Sequence, residues 1–169
     1  MPSPRPLTFE IVDPDSEDGA RVLVRYYTDI VGRYWGRAAT PAETENAMLD
    51  EPSDHLRGDG GFLVLVRDGA DAVGGGGVRI VEPHVGELTR IYLDPVVRGR
   101  GAGRALLSEL EAISIRRGIR TLRLTVRQDL VEAHGLYRRS GYEPVEAFST
   151  SPYADHFLAK ELAPLEGAP

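Results

Sequence analysis

Arg98-Gly99-Arg100-Gly101-Ala102-Gly103-Arg104 joins a strand-like run, residues 88–93, to a helix-like run, residues 105–117. A strand that turns through several glycines into a helix leaves unpaired backbone N–H groups at the helix N-terminus, where the macrodipole also favours negative charge. Such a turn is a cradle for a pyrophosphate. Competing glycine signatures narrow the reading. A dinucleotide fingerprint needs Gly-x-Gly-x-x-Gly or Ala, yet counting from Gly99 the last position is Arg104, and from Gly101 it is Leu106. A P-loop needs Gly-Lys-Ser or Gly-Lys-Thr, and the chain has neither. What stands here is Arg98-x-x-Gly101-x-Gly103. Glu87-Leu88-Thr89-Arg90-Ile91-Tyr92-Leu93-Asp94-Pro95 precedes it and Leu136-Tyr137-Arg138-Arg139-Ser140-Gly141-Tyr142 follows.

The 169 residues, 41% hydrophobic, are the size of one domain, residues 1–169, able to bury a core without metals or disulfides. There is no cysteine, which removes disulfides, a thiol nucleophile and thiolate metal ligands and suits a cytoplasmic protein. No apolar run of secretory length opens the chain and no window approaches a membrane span, so the expectation is a soluble protein with no membrane association. The formal charge is −6, but residues 1–86 carry 15 acidic and 8 basic side chains while residues 87–169 carry 11 and 12. Ten Arg fall within residues 98–139, so the basic excess concentrates around the loop, a balance that does not suit nucleic-acid binding. With one Lys in the chain, Arg is the default surface cation, and Arg116, Arg117, Arg120, Arg123, Arg138 and Arg139 read as solvated.

Residues 7–12 read as a first strand, and Asp15 or Ser16 caps a helix running to about residue 34. A second helix follows Thr40-Pro41, with Glu43 completing a capping box. Residues 62–67 and 72–81 form a hairpin across Asp68-Gly69, the second strand interrupted by Gly74 to Gly77, which suggest a bulge, a close backbone approach or, more readily, a turn. The strand 87–93 stops at Asp94-Pro95, and Leu106, Leu107, Leu110, Ile113 and Ser114 give the next helix its buried face up to Gly118. Residues 121–126 alternate as a strand, 130–140 form a helix closed by Gly141, and 155–162 form a last strand. The order β-α-α-β-β-β-α-β-α-β argues a mixed α/β domain whose central sheet is covered by helices.

The loop and its flanks resemble the acyl-coenzyme A site of the GNAT N-acetyltransferases, the likeness spanning residues 87–142. The resemblance implies a mostly antiparallel sheet of six to seven strands, splayed beside the fourth. It implies a cosubstrate, acetyl-coenzyme A, and transfer to an amine by direct attack, with no metal. The backbone N–H groups of Gly99, Arg100, Gly101, Ala102, Gly103 and Arg104, behind Arg98, would then bind the pyrophosphate, with Gly101 and Gly103 needed because a Cβ would block the approach. The pantetheine arm would pair with the main chain of Ile91, Tyr92 and Leu93.

Tyr137 matches the tyrosine with which many members protonate the departing thiolate, a phenol of ordinary pKa about 10 being a proton donor at neutral pH. Seven residues earlier, where relatives often carry Asn or Gln, this chain has Leu130. Glu87 is the best candidate general base: on an extended strand it shares a face with Thr89, Ile91 and Leu93. Some relatives place the carboxylate at the position of Thr89, and a strand-end ion pair with an Arg is the other reading of Glu87. His55, His84, His134 and His156 show no metal spacing; His134, one turn before Tyr137, reads chiefly as packing. Tyr26, Tyr27, Tyr34, Trp35, Tyr153 and His156 fall where the family walls its acceptor pocket. The acidic first half, including Asp29, Glu43, Glu45, Asp50, Glu51 and Asp54, favours a cationic small-molecule or peptide amine as acceptor, taken up by a monomer or homodimer. The alternative is a non-catalytic module that binds acyl-coenzyme A as a sensor.

Overall fold

Capping chemistry sets the helix ends much as the sequence predicts. In the computed structural model, which describes residues 5–151 and 154–163, β1 (Thr8–Val12) leads to Ser16, whose hydroxyl accepts the Gly19 N–H and opens α1 (Glu17–Trp35). Thr40 and Glu43 make both bonds of the capping box of α2 (Pro41–Asp50). The Asp68-Gly69 hairpin joins β2 (Gly61–Asp68) to β3 (Asp71–Glu82), and β4 (Val85–Leu93) follows. Then come α3 (Ala102–Arg116), β5 (Thr121–Val126), α4 (Val131–Arg139), β6 (Glu143–Pro144) and β7 (His156–Glu161). The sequence reading has no counterpart of β6, because two residues, one of them proline, carry no alternation.

These strands form one seven-stranded sheet in the order β1-β2-β3-β4-β5-β7-β6. Every neighbouring pair is antiparallel except β4 and β5. That parallel pair has only three rungs, Val85 with Thr121, Gly86 with Leu122 and Glu87 with Arg123. Beyond Glu87 the two strands part, which is the opening beside the fourth strand that the resemblance implies.

Helices cover both faces. Phe62, Val64, Val78, Leu88 and Leu122 pack with Leu106 and Leu110 of α3 in one apolar cluster, while Leu63 packs with Leu23 and Tyr27 of α1 and with Leu56 in another. The glycine run of β3 lies between them. A Cβ on Gly75 would stand 3.3 Å from Val22 of α1, and one on Gly76 would stand 3.2 Å from Leu110 of α3. The run is therefore a close approach of two helices to an unbroken strand, not a turn.

One expectation about β4 is corrected. Glu87, Thr89, Ile91 and Leu93 do not share a face. Gly77 pairs with Thr89 but Gly75 pairs with Tyr92, so β4 holds one residue more than β3 over this stretch, and Arg90 is left-handed at φ 57°. An inserted residue flips every side chain beyond it. Arg90 reaches Tyr27 Oη and Ser53 Oγ at 3.2 and 3.0 Å on the α1 side. Ile91 instead lies with Leu106 and Leu110 around Gly76, and Leu88, Ile91 and Leu93 all belong to the α3 cluster.

The far end of α3 is tied to the C-terminal strands by Glu111, which accepts from Tyr142 Oη at 3.0 Å and from Lys160 Nζ at 2.8 Å. Tyr142 is completely buried, and a hydrogen bond to a charged group contributes about 1.5–3 kcal/mol. Because Glu111 keeps Lys160, Tyr142→Phe should destabilise the fold by roughly 1–2 kcal/mol, read as a lower urea midpoint at constant slope. An unchanged midpoint would show that the bond contributes nothing net.

Candidate active site

The loop is fastened to β3 by a main-chain hydrogen bond and to the end of β4 by a side-chain one. Asp94 N–H donates to the Val73 carbonyl at 2.8 Å, a 3-10 turn over Pro95–Val97 buries Val97, and Arg98 Nε donates back to the Leu93 carbonyl at 3.1 Å. Gly99 and Gly101 are left-handed, at φ 79° and 75°. Gly101 is the N-cap of α3, whose first turn has neither a side-chain cap nor an acidic residue, whereas α1 and α2 have both. The first N–H groups of α3, at Ala102, Gly103 and Arg104, are thus left without a side-chain acceptor among the described residues. This is where an anion gains most.

The two glycines of the motif differ in what they do. A Cβ on Gly101 would meet nothing within 4 Å, so that position needs glycine for its backbone angle. A Cβ on Gly103 would stand 2.9 Å from Leu136 Cδ2. Gly103 therefore also serves the contact between α3 and α4. Arg100 is held by Asp68 and the Arg5 carbonyl at 3.0 and 3.1 Å, while Arg104 is exposed.

Along β4, the stretch Ile91, Tyr92, Leu93 has no strand partner on the β5 side. Its side chains alternate, Ile91 and Leu93 toward α3. Burial and the neighbouring Asp94 push the Tyr92 phenol up to about 12. Tyr137 is 7% exposed and packs edge-on against Tyr142, centroids 5.9 Å apart. Burial, with a smaller contribution from Tyr26, raises its pKa well above the ordinary phenol value. Tyr26 itself, half-buried on α1, is pushed up to about 12 by burial, with Arg90 pulling the other way. Glu87 Oε2 lies 3.4 Å from Arg123 Nε and 3.7 Å from Arg79 Nη2.

His134 is directed to β7, edge-on to His156 at 4.5 Å. Burial, then His156 and Arg138, hold its pKa below the ordinary imidazole value. Tyr27 is buried and bonds Ser53 and the Glu51 carbonyl; Tyr34 and Trp35 are exposed and stack edge-on at 5.0 Å. Tyr153 lies outside the described residues.

Residues 22–142 match the model of the acetyltransferase (GNAT) family. The chain belongs to that family. An aminoglycoside N(6′)-acetyltransferase type 1 from Stenotrophomonas maltophilia is 34% identical over 120 residues, 66% of this chain and 74% of that protein. A mycothiol acetyltransferase from Beutenbergia cavernae is 32% identical over 89 residues, 52% of this chain but only 30% of the relative's length. Among solved structures, the PaiA N-acetyltransferase of Thermoplasma acidophilum in complex with coenzyme A has the same fold, with a TM-score of 0.70 at 20% identity, covering 91% of this chain and 99% of that one.

Three features of this GNAT chain escape sequence reasoning. Arg90 fastens β4 to the segment after α2 through Ser53 and the carbonyls of Glu51 and Pro52. Its left-handed backbone leaves one trace in the sequence, since the core residues Leu88 and Ile91 are an odd number of positions apart. Glu87 makes the strand-end ion pair with arginine that is its other reading, but the partners, Arg79 and Arg123 on separate strands, are joined by no local pattern. Nor is Arg123 the solvated cation that composition suggests: its side chain is 21% exposed.

Proposed function

We propose that this chain transfers an acetyl group from acetyl-coenzyme A to a primary amine of a small molecule or peptide, by direct attack in a ternary complex. The observation that carries the reading is the α3 N-terminus, uncapped and free of acidic side chains behind the left-handed Gly101. In this reading the N–H groups of residues 99–104 hold the pyrophosphate, aided by the positive end of the helix dipole. The open edge of β4 at Ile91, Tyr92 and Leu93 takes the pantetheine arm through main-chain bonds, so the thioester arrives where β4 and β5 part.

An alkyl ammonium has a pKa of about 10 and must lose a proton before it can attack. Glu87, on the last shared rung of β4 and β5, accepts that proton, directly or through a water. As the C–N bond forms and the C–S bond breaks, negative charge gathers on sulfur. Tyr137, whose raised pKa keeps its proton in place, donates a hydrogen bond to that sulfur and stabilises the departing thiolate. The names of the relatives, an aminoglycoside and a mycothiol acetyltransferase, support a small-molecule acceptor.

Coenzyme A at a hundredfold excess over its Kd should stabilise the native state by about 2.7 kcal/mol, which raises Tm by roughly 5–10 °C in a chain of this size. ATP and NAD should give far smaller shifts, and an equal shift from ATP would remove the coenzyme A assignment. Free-thiol release in the presence of amines then separates transfer from mere binding: stabilisation by coenzyme A with no amine-dependent release would identify a sensor.

A further inference from the structure

We propose that the acceptor is an α-amino acid, its carboxylate held by Arg123 and Arg79 while Glu87 takes the proton from its amine; this rests on the acetyl-transfer reading above. Arg79, Glu87 and Arg123 are cross-strand neighbours in one row of β3, β4 and β5. Glu87 and Arg123 form the last rung before the sheet opens, so the row borders the point where the thioester would lie. Its charge is a net plus one, and Arg90, whose guanidinium among the described residues bonds to neutral oxygens of Tyr27, Ser53, Thr89, Glu51 and Pro52, adds another plus.

Two of these guanidinium groups are underused. Three arginine side chains, Arg67, Arg123 and Arg127, are between 19% and 21% exposed. Arg67 and Arg127 hydrogen-bond carboxylates at 2.9–3.1 Å. Arg123 reaches Glu87 only at 3.4 Å, and its Nε is buried with no hydrogen-bond partner. A charge-assisted N–H to carboxylate bond is normally about 2.7–2.9 Å long, and a buried N–H left without a partner is costly. Arg79 stands still farther from Glu87, at 3.7 Å. Stacking on Phe148, 4.1 Å from ring centroid to guanidinium carbon, fixes the Arg123 plane.

A ligand that brings its own carboxylate pairs bidentately with the terminal Nη groups of Arg123, which are not buried as its Nε is, and one that carries an ammonium on the adjacent carbon meets Glu87 beside it. A polycationic acceptor would meet three guanidinium groups instead. The acidic first half does not offset this, since Asp29 and Glu43 are paired with Arg33 and Arg37 and Glu51 and Asp54 are exposed.

The test is thiol release by the full chain with matched pairs: phenylalanine against phenethylamine, leucine against isoamylamine, serine against ethanolamine. The amino acid of the preferred pair should exceed its decarboxylated partner in kcat/KM by about a hundredfold or more, chiefly through KM. In Arg123→Gln that ratio should collapse to within a few-fold, whereas a merely structural role would lower both members and leave the ratio standing. Amines used as well as amino acids by the unmodified protein would overturn the proposal and leave acetyl transfer intact. If coenzyme A binds but no pair turns over, calorimetry with N-acetylphenylalanine, N-acetylleucine and N-acetylserine decides: binding that Arg123→Gln abolishes keeps the carboxylate site while acetyl transfer falls, and no binding removes both.

Discussion

Tyr137→Phe is expected to lower kcat by about 10²- to 10³-fold, the usual range for loss of one hydrogen-bond donor aimed at charge developing in the transition state, with little change in the KM for acetyl-coenzyme A. The same substitution should leave stability within about 0.5 kcal/mol. The ring keeps its edge contact with Tyr142, and its hydroxyl has no hydrogen-bond partner among the described residues that removal would orphan. An interaction made only in the transition state lowers kcat and kcat/KM together, whereas a role in holding sulfur before reaction would appear in KM. Burial moves the phenol's ionisation above its ordinary value, so its donating form persists throughout neutral and mildly alkaline pH. No fall in rate below about pH 10 should therefore trace to this residue. Wild-type turnover in Tyr137→Phe, where chemistry limits the rate, would return Tyr137 to the packing residues.

Gly101→Val should weaken coenzyme A binding by about 10²- to 10⁴-fold. Two lost charge-assisted hydrogen bonds at about 1.5–3 kcal/mol each account for that range. A β-branched residue cannot hold φ 75° comfortably, so the turn relaxes and the first N–H groups of α3 no longer converge on one anion. The fold should lose only about 1–2 kcal/mol, the cost of a left-handed residue, because nothing lies within 4 Å of the added Cβ. Gly103→Val is the wrong probe. It would strike Leu136, so its effect on affinity would be mixed with separation of α3 from α4. Calorimetry of folded Gly101→Val decides the matter, and undiminished affinity would remove the cradle.

The elements most legible in the sequence are those set by local chemistry. Ser16, the Thr40 and Glu43 box, the Asp68-Gly69 turn and Pro95 act over a few residues, and each appears where its chemistry predicts. The loop was legible for the same reason, since Gly99 and Gly101 answer to backbone angles that few other residues adopt. What resists reading is set across the sheet. Alternation assigns a face only while the register holds, and the extra residue at Arg90 ends it in mid-strand. The glycine run of β3 invites a turn because its true partners, Val22 and Leu110, come from helices far apart in the chain. Composition likewise places Arg123 among solvated cations, while the sheet sets it beside Glu87.

The bulge at Arg90 divides β4 into two separately indexed halves. Residues before it turn their odd-numbered side chains to the α1 side, and residues after it turn theirs to α3. A substitution at Glu87 or Thr89 thereby acts on the α1 face, and one at Ile91 or Leu93 on the α3 face beside the glycine loop. In the proposed reading, such a strand lets the acceptor preference drift while the coenzyme A contacts are kept. A single-residue deletion at position 90 would set Ile91 opposite Gly76 and keep Ile91 and Leu93 toward α3, removing only the bonds by which Arg90 fastens β4 to Tyr27 and Ser53.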